Sequence, residues 1–127
     1  MLEGDLYSAL STNAAVGAIV GGTGQSARIY PMLRPQGAAL PAVTYQLIDR
    51  PRIDTASLTG NNAKVRSRMQ IDCWAESYSA AKDLAAAVKN AVNSALTALN
   101  IDERDLYEDD TGIYRISSDF SIWHLES

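Results

Sequence analysis

The stretch Lys64-Val65-Arg66-Ser67-Arg68-Met69-Gln70-Ile71-Asp72-Cys73-Trp74-Ala75 alternates along its whole length. Val65, Met69, Ile71, Cys73 and Ala75 fall on one side, with Ser67 among them; Lys64, Arg66, Arg68, Gln70, Asp72 and Trp74 fall on the other. A period of two with one apolar side marks a half-buried antiparallel strand. Directly after it, Ser77 or Ser79 can cap a helix, with Asp83 in its first turn. Ala81, Leu84, Ala85, Val88, Val92, Ala95, Leu96 and Leu99 then recur at steps of three and four. Lys82, Lys89, Asn90, Asn93 and Thr97 fill the opposite side. The spacing predicts an amphipathic helix over Ser79–Leu99, about five turns long, with enough alanine to lie close to a sheet.

Upstream, Val43, Tyr45 and Leu47 point one way and Thr44 and Gln46 the other, a second strand after Pro41. Between the two strands, Arg50 to Asn62 holds turn formers without periodicity and reads as a long loop or arm. Leu2, Leu6, Ala9 and Leu10 share a helical face, and Asn13 can cap a short helical segment, Ala14 to Val20, stopped by Gly21-Gly22-Thr23-Gly24. Gln25 to Pro41 is broken by Pro31, Pro35, Gly37 and Pro41 and has room for a short strand at Arg28–Tyr30. Mobility is expected for Gly21–Pro41 and Arg50–Asn62 in the free subunit.

At the C-terminal end, Leu106 and Tyr107 lead into the acidic turn Glu108-Asp109-Asp110-Thr111-Gly112. Tyr114, Ile116, Phe120 and Ile122 then alternate with Arg115, Ser117, Asp119 and Ser121. The order helix, strands, helix, hairpin gives an α+β fold: a mainly antiparallel mixed sheet with two helices packed on one face. Length agrees, since 127 residues make a single domain, residues 1–127, able to hold a core without metal or disulfides.

Composition narrows the function. With 11 basic and 15 acidic residues the net charge is −4, which argues against non-specific binding to nucleic acid or an anionic membrane. The single cysteine, Cys73, excludes an internal disulfide, and the single histidine, His124, excludes a multi-histidine metal site. No stretch approaches the roughly 20 apolar residues of a membrane span, and the acidic N-terminus is unlike a secretory signal. A cytoplasmic protein is the default expectation.

Catalytic chemistry finds little footing. Gly21-Gly22-Thr23-Gly24 lacks the Lys-Ser/Thr of a phosphate loop. Cys73 sits on the apolar side of its strand, where a small buried side chain is expected, not a nucleophile. His124 has no Ser or Cys motif to make it a base, and Asp102-Glu103 and Asp109-Asp110 lack the spacing of a calcium loop. No enzyme and no cofactor are expected.

Surface residues are more telling. The outward side of the Lys64–Ala75 strand carries Arg66, Arg68 and Trp74, and the last strand adds Trp123. Arginine and tryptophan are enriched at protein interfaces; a solvated sheet with cross-strand ion pairs is the plainer alternative. Residues 28–68 carry seven basic and two acidic side chains, whereas residues 100–127 carry two basic and eight acidic. Arg50, Arg52, Leu58 and Asn61 on the arm, and Asp105, Glu108 and Asp110 near the acidic turn, complete the candidate interface. Reversing Arg66 and Arg68 to Glu is expected to block assembly and leave the subunit folded.

Three segments together carry a resemblance. They are Arg28-Ile29-Tyr30-Pro31 with Pro35-Gln36-Gly37-Ala38-Ala39-Leu40-Pro41-Ala42-Val43-Thr44-Tyr45; Arg68 to Ala75 running through Tyr78-Ser79-Ala80-Ala81 into Leu84–Val92; and Tyr114 to His124. In this order and spacing the chain, from about Leu6 to His124, resembles the tail-completion or tail-terminator (head–tail joining) proteins of long-tailed bacteriophages and prophages. Ala42 stands where relatives often carry an aromatic residue. The resemblance implies a structural virion protein, an α+β module forming a homohexameric ring on the last ring of the tail tube. That ring would stop tail growth and offer the surface to which the head attaches. Implied partners are copies of the chain itself, the tail tube protein and a head-completion or connector protein. DNA would pass through without specific binding, which an acidic net charge suits. The implied location is the virion tail at the head–tail interface, and the host cytoplasm during assembly. Two rivals are a head-side connector or adaptor of the same virion and a cytosolic dimeric α+β domain binding a small ligand. The latter needs a concave apolar pocket, for which the sequence offers no evident lining.

Overall fold

A computed structural model describes residues 2–22, 24, 27–32, 39–49 and 64–125. Along the chain run α1 (Leu2–Ser11), α2 (Ala14–Val20), β1 (Ile29–Pro31), β2 (Ala42–Asp49), β3 (Lys64–Ala75), α3 (Tyr78–Ala95), β4 (Thr97–Glu108) and β5 (Ile113–Leu125). The strands form one sheet in the order β1-β2-β3-β5-β4, antiparallel except for the parallel β1–β2 pair. Among the described residues three helices cover one face where two were expected; the class is the α+β class read from the sequence.

The alternation of β3 dictates the layering. Met69, Ile71, Cys73 and Ala75 are buried, and in the β3–β5 register Met69 stands opposite Phe120 and Cys73 opposite Ile116. Against them lie Leu84, Val88 and Val92 of α3, Leu2, Leu6 and Leu10 of α1, and Val16 and Val20 of α2. Burying each such side chain stabilises the fold by about 1.5–3 kcal/mol before entropy is counted. The Cys73 thiol is inside this layer, and burial pushes its pKa up, away from any nucleophilic role.

Local chemistry fixes most ends. The Asn13 side chain accepts from Val16 N–H at 3.0 Å, capping α2, and Gly21 closes it in the left-handed conformation with φ +91°. The Ser77 hydroxyl accepts from Ala80 N–H at 3.2 Å and caps α3. The end of α3 differs from expectation: the helix stops at Ala95, and Thr97–Leu99 belongs to β4. Those residues continue the helical periodicity, but pairing Thr97 with Trp123 and Leu99 with Ser121 satisfies a strand ladder instead. The stretch after α2 also holds more structure than a loop. Its strand is one residue later than expected, and Arg28 Nε donates to the Pro41 carbonyl at 2.8 Å, tying β1 to the start of β2.

Candidate assembly surfaces

Among the described residues, helices cover the inner face of the sheet, and none covers its outer face or its two edges. On the outer face, β3 presents Arg66, Arg68, Gln70, Asp72 and Trp74, and β5 presents Arg115, Ser117, Asp119, Ser121 and Trp123. Asp119 is the hub: its side chain is only 4% exposed, with Arg68 Nη2 at 2.6 Å on one flank and Arg104 Nη2 at 3.8 Å on the other. Arg104 also reaches Asp102 at 3.3 Å and donates to the Ser117 hydroxyl at 3.3 Å. Toward the other end, Arg115 lies 3.7 Å from Asp72 and stacks over the Trp74 ring at 4.9 Å, while Trp74 Nε1 donates to Thr44 Oγ1 at 3.0 Å. Such stacking is worth about 0.5–1 kcal/mol at exposed sites and more when desolvated. These charges bind one strand to the next within a subunit.

The expected interface residues therefore divide. Arg68 and Trp74 are engaged within the subunit, as is Asp105, which accepts from Tyr78 Oη at 2.7 Å and Lys82 Nζ at 3.0 Å. Glu108 accepts from the Thr111 hydroxyl at 3.2 Å, and Asp110 is exposed in the β4–β5 turn. Arg66 and Trp123 are brought together as cross-strand partners, both exposed. Arg50, Arg52, Leu58 and Asn61 lie outside the described residues, as does the rest of the Arg50–Asn62 arm.

Two features escaped the sequence. The Ser67 hydroxyl and His124 Nε2 are 2.7 Å apart, a pairing between residues 57 positions apart. Ser67 is fully buried, so its oxygen faces no space a substrate could enter, and the contact serves to fasten β3 to β5. An apolar groove of about 510 Å³ lies where α1 meets the β1–β2 edge, lined chiefly by Tyr7, Pro31, Met32, Tyr45 and Leu47, with Glu3 at its rim. Its residues come from three separate elements, which is why no local pattern announced it. Among the described residues no group of three or more His, Cys, Asp or Glu could hold a metal ion, and no helix is long and apolar enough to cross a membrane.

The described charged groups largely serve the subunit's own cohesion, and several exposed apolar side chains, Leu99, Ile101, Leu106 and Tyr107, lie on the edge strand β4. Residues 4–125 match the family described as tail completion protein gp17, and the chain belongs to that family. It is thus a structural, tail-associated component of phage-type virions. In fold it is similar to a chain from the solved virion of a native gene transfer agent particle, at TM-score 0.71 and 18% identity, covering 98% of this chain and 95% of that one. No curated protein matches the sequence.

Proposed function

We propose that this protein forms a ring that caps the end of the tail tube, terminates its growth and provides the surface for head–tail joining. Family membership over residues 4–125 is the observation that carries this reading. Its partners on this reading are further copies of the chain, most simply six, the tail tube protein and a head-completion protein. Size supports six. A compact chain of 127 residues has a radius of gyration of about 14 Å, hence a diameter near 36 Å. Six such bodies in contact leave a hole of about 36 Å, room for a duplex about 20 Å wide, whereas four leave only about 15 Å.

Electron microscopy of particles lacking the protein tests the reading. Overlong tails, or heads and tails left unjoined, are the expected outcome; normal virions would overturn it. Binding of the purified protein to portal complexes and not to tail tubes would transfer it to the head side of the joint.

A further inference from the structure

Two apolar surfaces stand on opposite edges of the sheet and at one height along the strands. The first is the groove at the β1–β2 edge, with Met32 and Leu47 exposed in its wall. The second is a β-bulge on the far edge, where Ile101 is the extra residue of β4 between Asn100, opposite Phe120, and Asp102, opposite Asp119. Bulges at sheet edges re-aim side chains and end regular pairing. Around this one, Leu99 is 66% exposed, Ile101 45% and Trp123 46%. Singly exposed apolar side chains need no explanation, but clustered ones mark contact surfaces.

The registers fix how the two surfaces relate. Leu47 of β2 stands opposite Met69 of β3, Met69 opposite Phe120 of β5, and Phe120 opposite Asn100 of β4. One row of residues therefore runs straight across the sheet from groove to bulge, over three strand spacings of about 14 Å in all. A closed ring is built by rotation with no rise, through a heterologous contact in which two different patches meet. Patches at the two ends of one row meet that condition when the row runs around the ring. Charge agrees: Glu3 stands at the groove, and exposed Arg66 stands beside Trp123 at the bulge. A concave groove does not complement itself, so its occupant is a different patch of exposed side chains, as Leu99, Ile101 and Trp123 are.

We propose that the Leu99–Ile101 bulge and Trp123 of one subunit seat in the α1–β1–β2 groove of the next copy of this chain. The contact rests on the ring reading above and gives that ring an apolar joint, in place of a charge contact between Arg52, Arg66 or Arg68 of one subunit and Asp105, Glu108 or Asp110 of the next.

The test uses the full chain carrying Met32→Cys or Ile101→Cys, each exposed, while buried Cys73 stays out of the exchange. Wild-type protein is imaged in parallel for rings, alone and on purified tail tubes. Under mild oxidation the mixture of the two variants is expected to give a mixed disulfide dimer, and neither variant alone a covalent pair. Ile101→Asp, at an exposed site, is expected to weaken ring assembly by more than about tenfold with an unchanged melting temperature. Wild-type rings with no mixed disulfide, or with Ile101→Cys linked to itself, would overturn this contact and leave the ring standing. Rings of Ile101→Asp that form normally but no longer hold tail tubes would overturn it too, assigning the bulge to the tube. No wild-type ring under any condition would remove the ring reading, and this contact with it.

Discussion

Arg68 and Asp119 meet at 2.6 Å across the β3–β5 ladder, the carboxylate buried and the guanidinium half in water. A charge-assisted bond of this length fastens the two central strands on their helix-free face. Asp119→Asn is expected to cost about 1–3 kcal/mol in chemical denaturation, held to that range because the Arg68 guanidinium is already half in water. Arg68→Glu should cost more, since it sets a second carboxylate against a buried one. The double reversal of Arg66 and Arg68 is thus expected to destabilise the subunit itself, and Arg66→Glu alone is the clean probe of a surface charge. Equal stability of Arg68→Glu and wild type would contradict this.

Leu84 and Ile71 face each other's layers in the core, both fully buried. Truncating either to Ala removes transfer energy and leaves a cavity, together about 2–5 kcal/mol. Thermal melts should register both. A loss below 1 kcal/mol for both, about the cost of a surface change, would argue against this packing.

The Tyr78 hydroxyl and then Lys82 hold the Asp105 carboxyl below its ordinary value of 3.8, and Asp105 in turn raises Lys82 above 10.5. A depressed acid adds stability that is present above its unfolded value and fades as pH falls through the folded one. A raised lysine adds stability present below its unfolded value and lost as pH rises through the folded one. The stability gap between wild type and Asp105→Asn should therefore be steady near neutrality, shrink as pH drops below 3.8, and narrow in high salt because the groups are exposed. A gap that widens in acid would refute the assignment.

Gly21→Ala is expected to destabilise the α2 end. Its φ of +91° strains any side chain, and a Cβ there would strike the Arg28 guanidinium that also reaches Pro41. The conformational part alone is about 1–2 kcal/mol. Measured stability equal to wild type would show that this backbone relaxes freely.

Much of the fold was legible because two periodicities were nearly perfect. The β3 alternation and the Leu84–Val88–Val92 stripe place sheet and helix without further help. What failed were boundaries and long-range pairings. Leu96 and Leu99 prolong the helical spacing, so only the β5 ladder reveals where α3 ends. The outer face was legible as a face, but Arg68 and Asp119 lie 51 positions apart, so their pairing could not be seen. The bulge at Ile101 leaves no local sequence mark, so the apolar edge is invisible in the sequence while the charge asymmetry is plain.

The acidic run along β4 has a consequence for the free subunit. β4 is a 12-residue strand at the rim of the sheet, and an uncovered rim invites copies to stack backbone to backbone into fibres. Asp102, Glu103, Asp105 and Glu108 make that mode self-repelling over most of its length. The kink at Ile101 interrupts the remainder. Backbone-to-backbone stacking through the β4 rim is thus disfavoured, which leaves association to side-chain contacts such as those of Leu99 and Ile101.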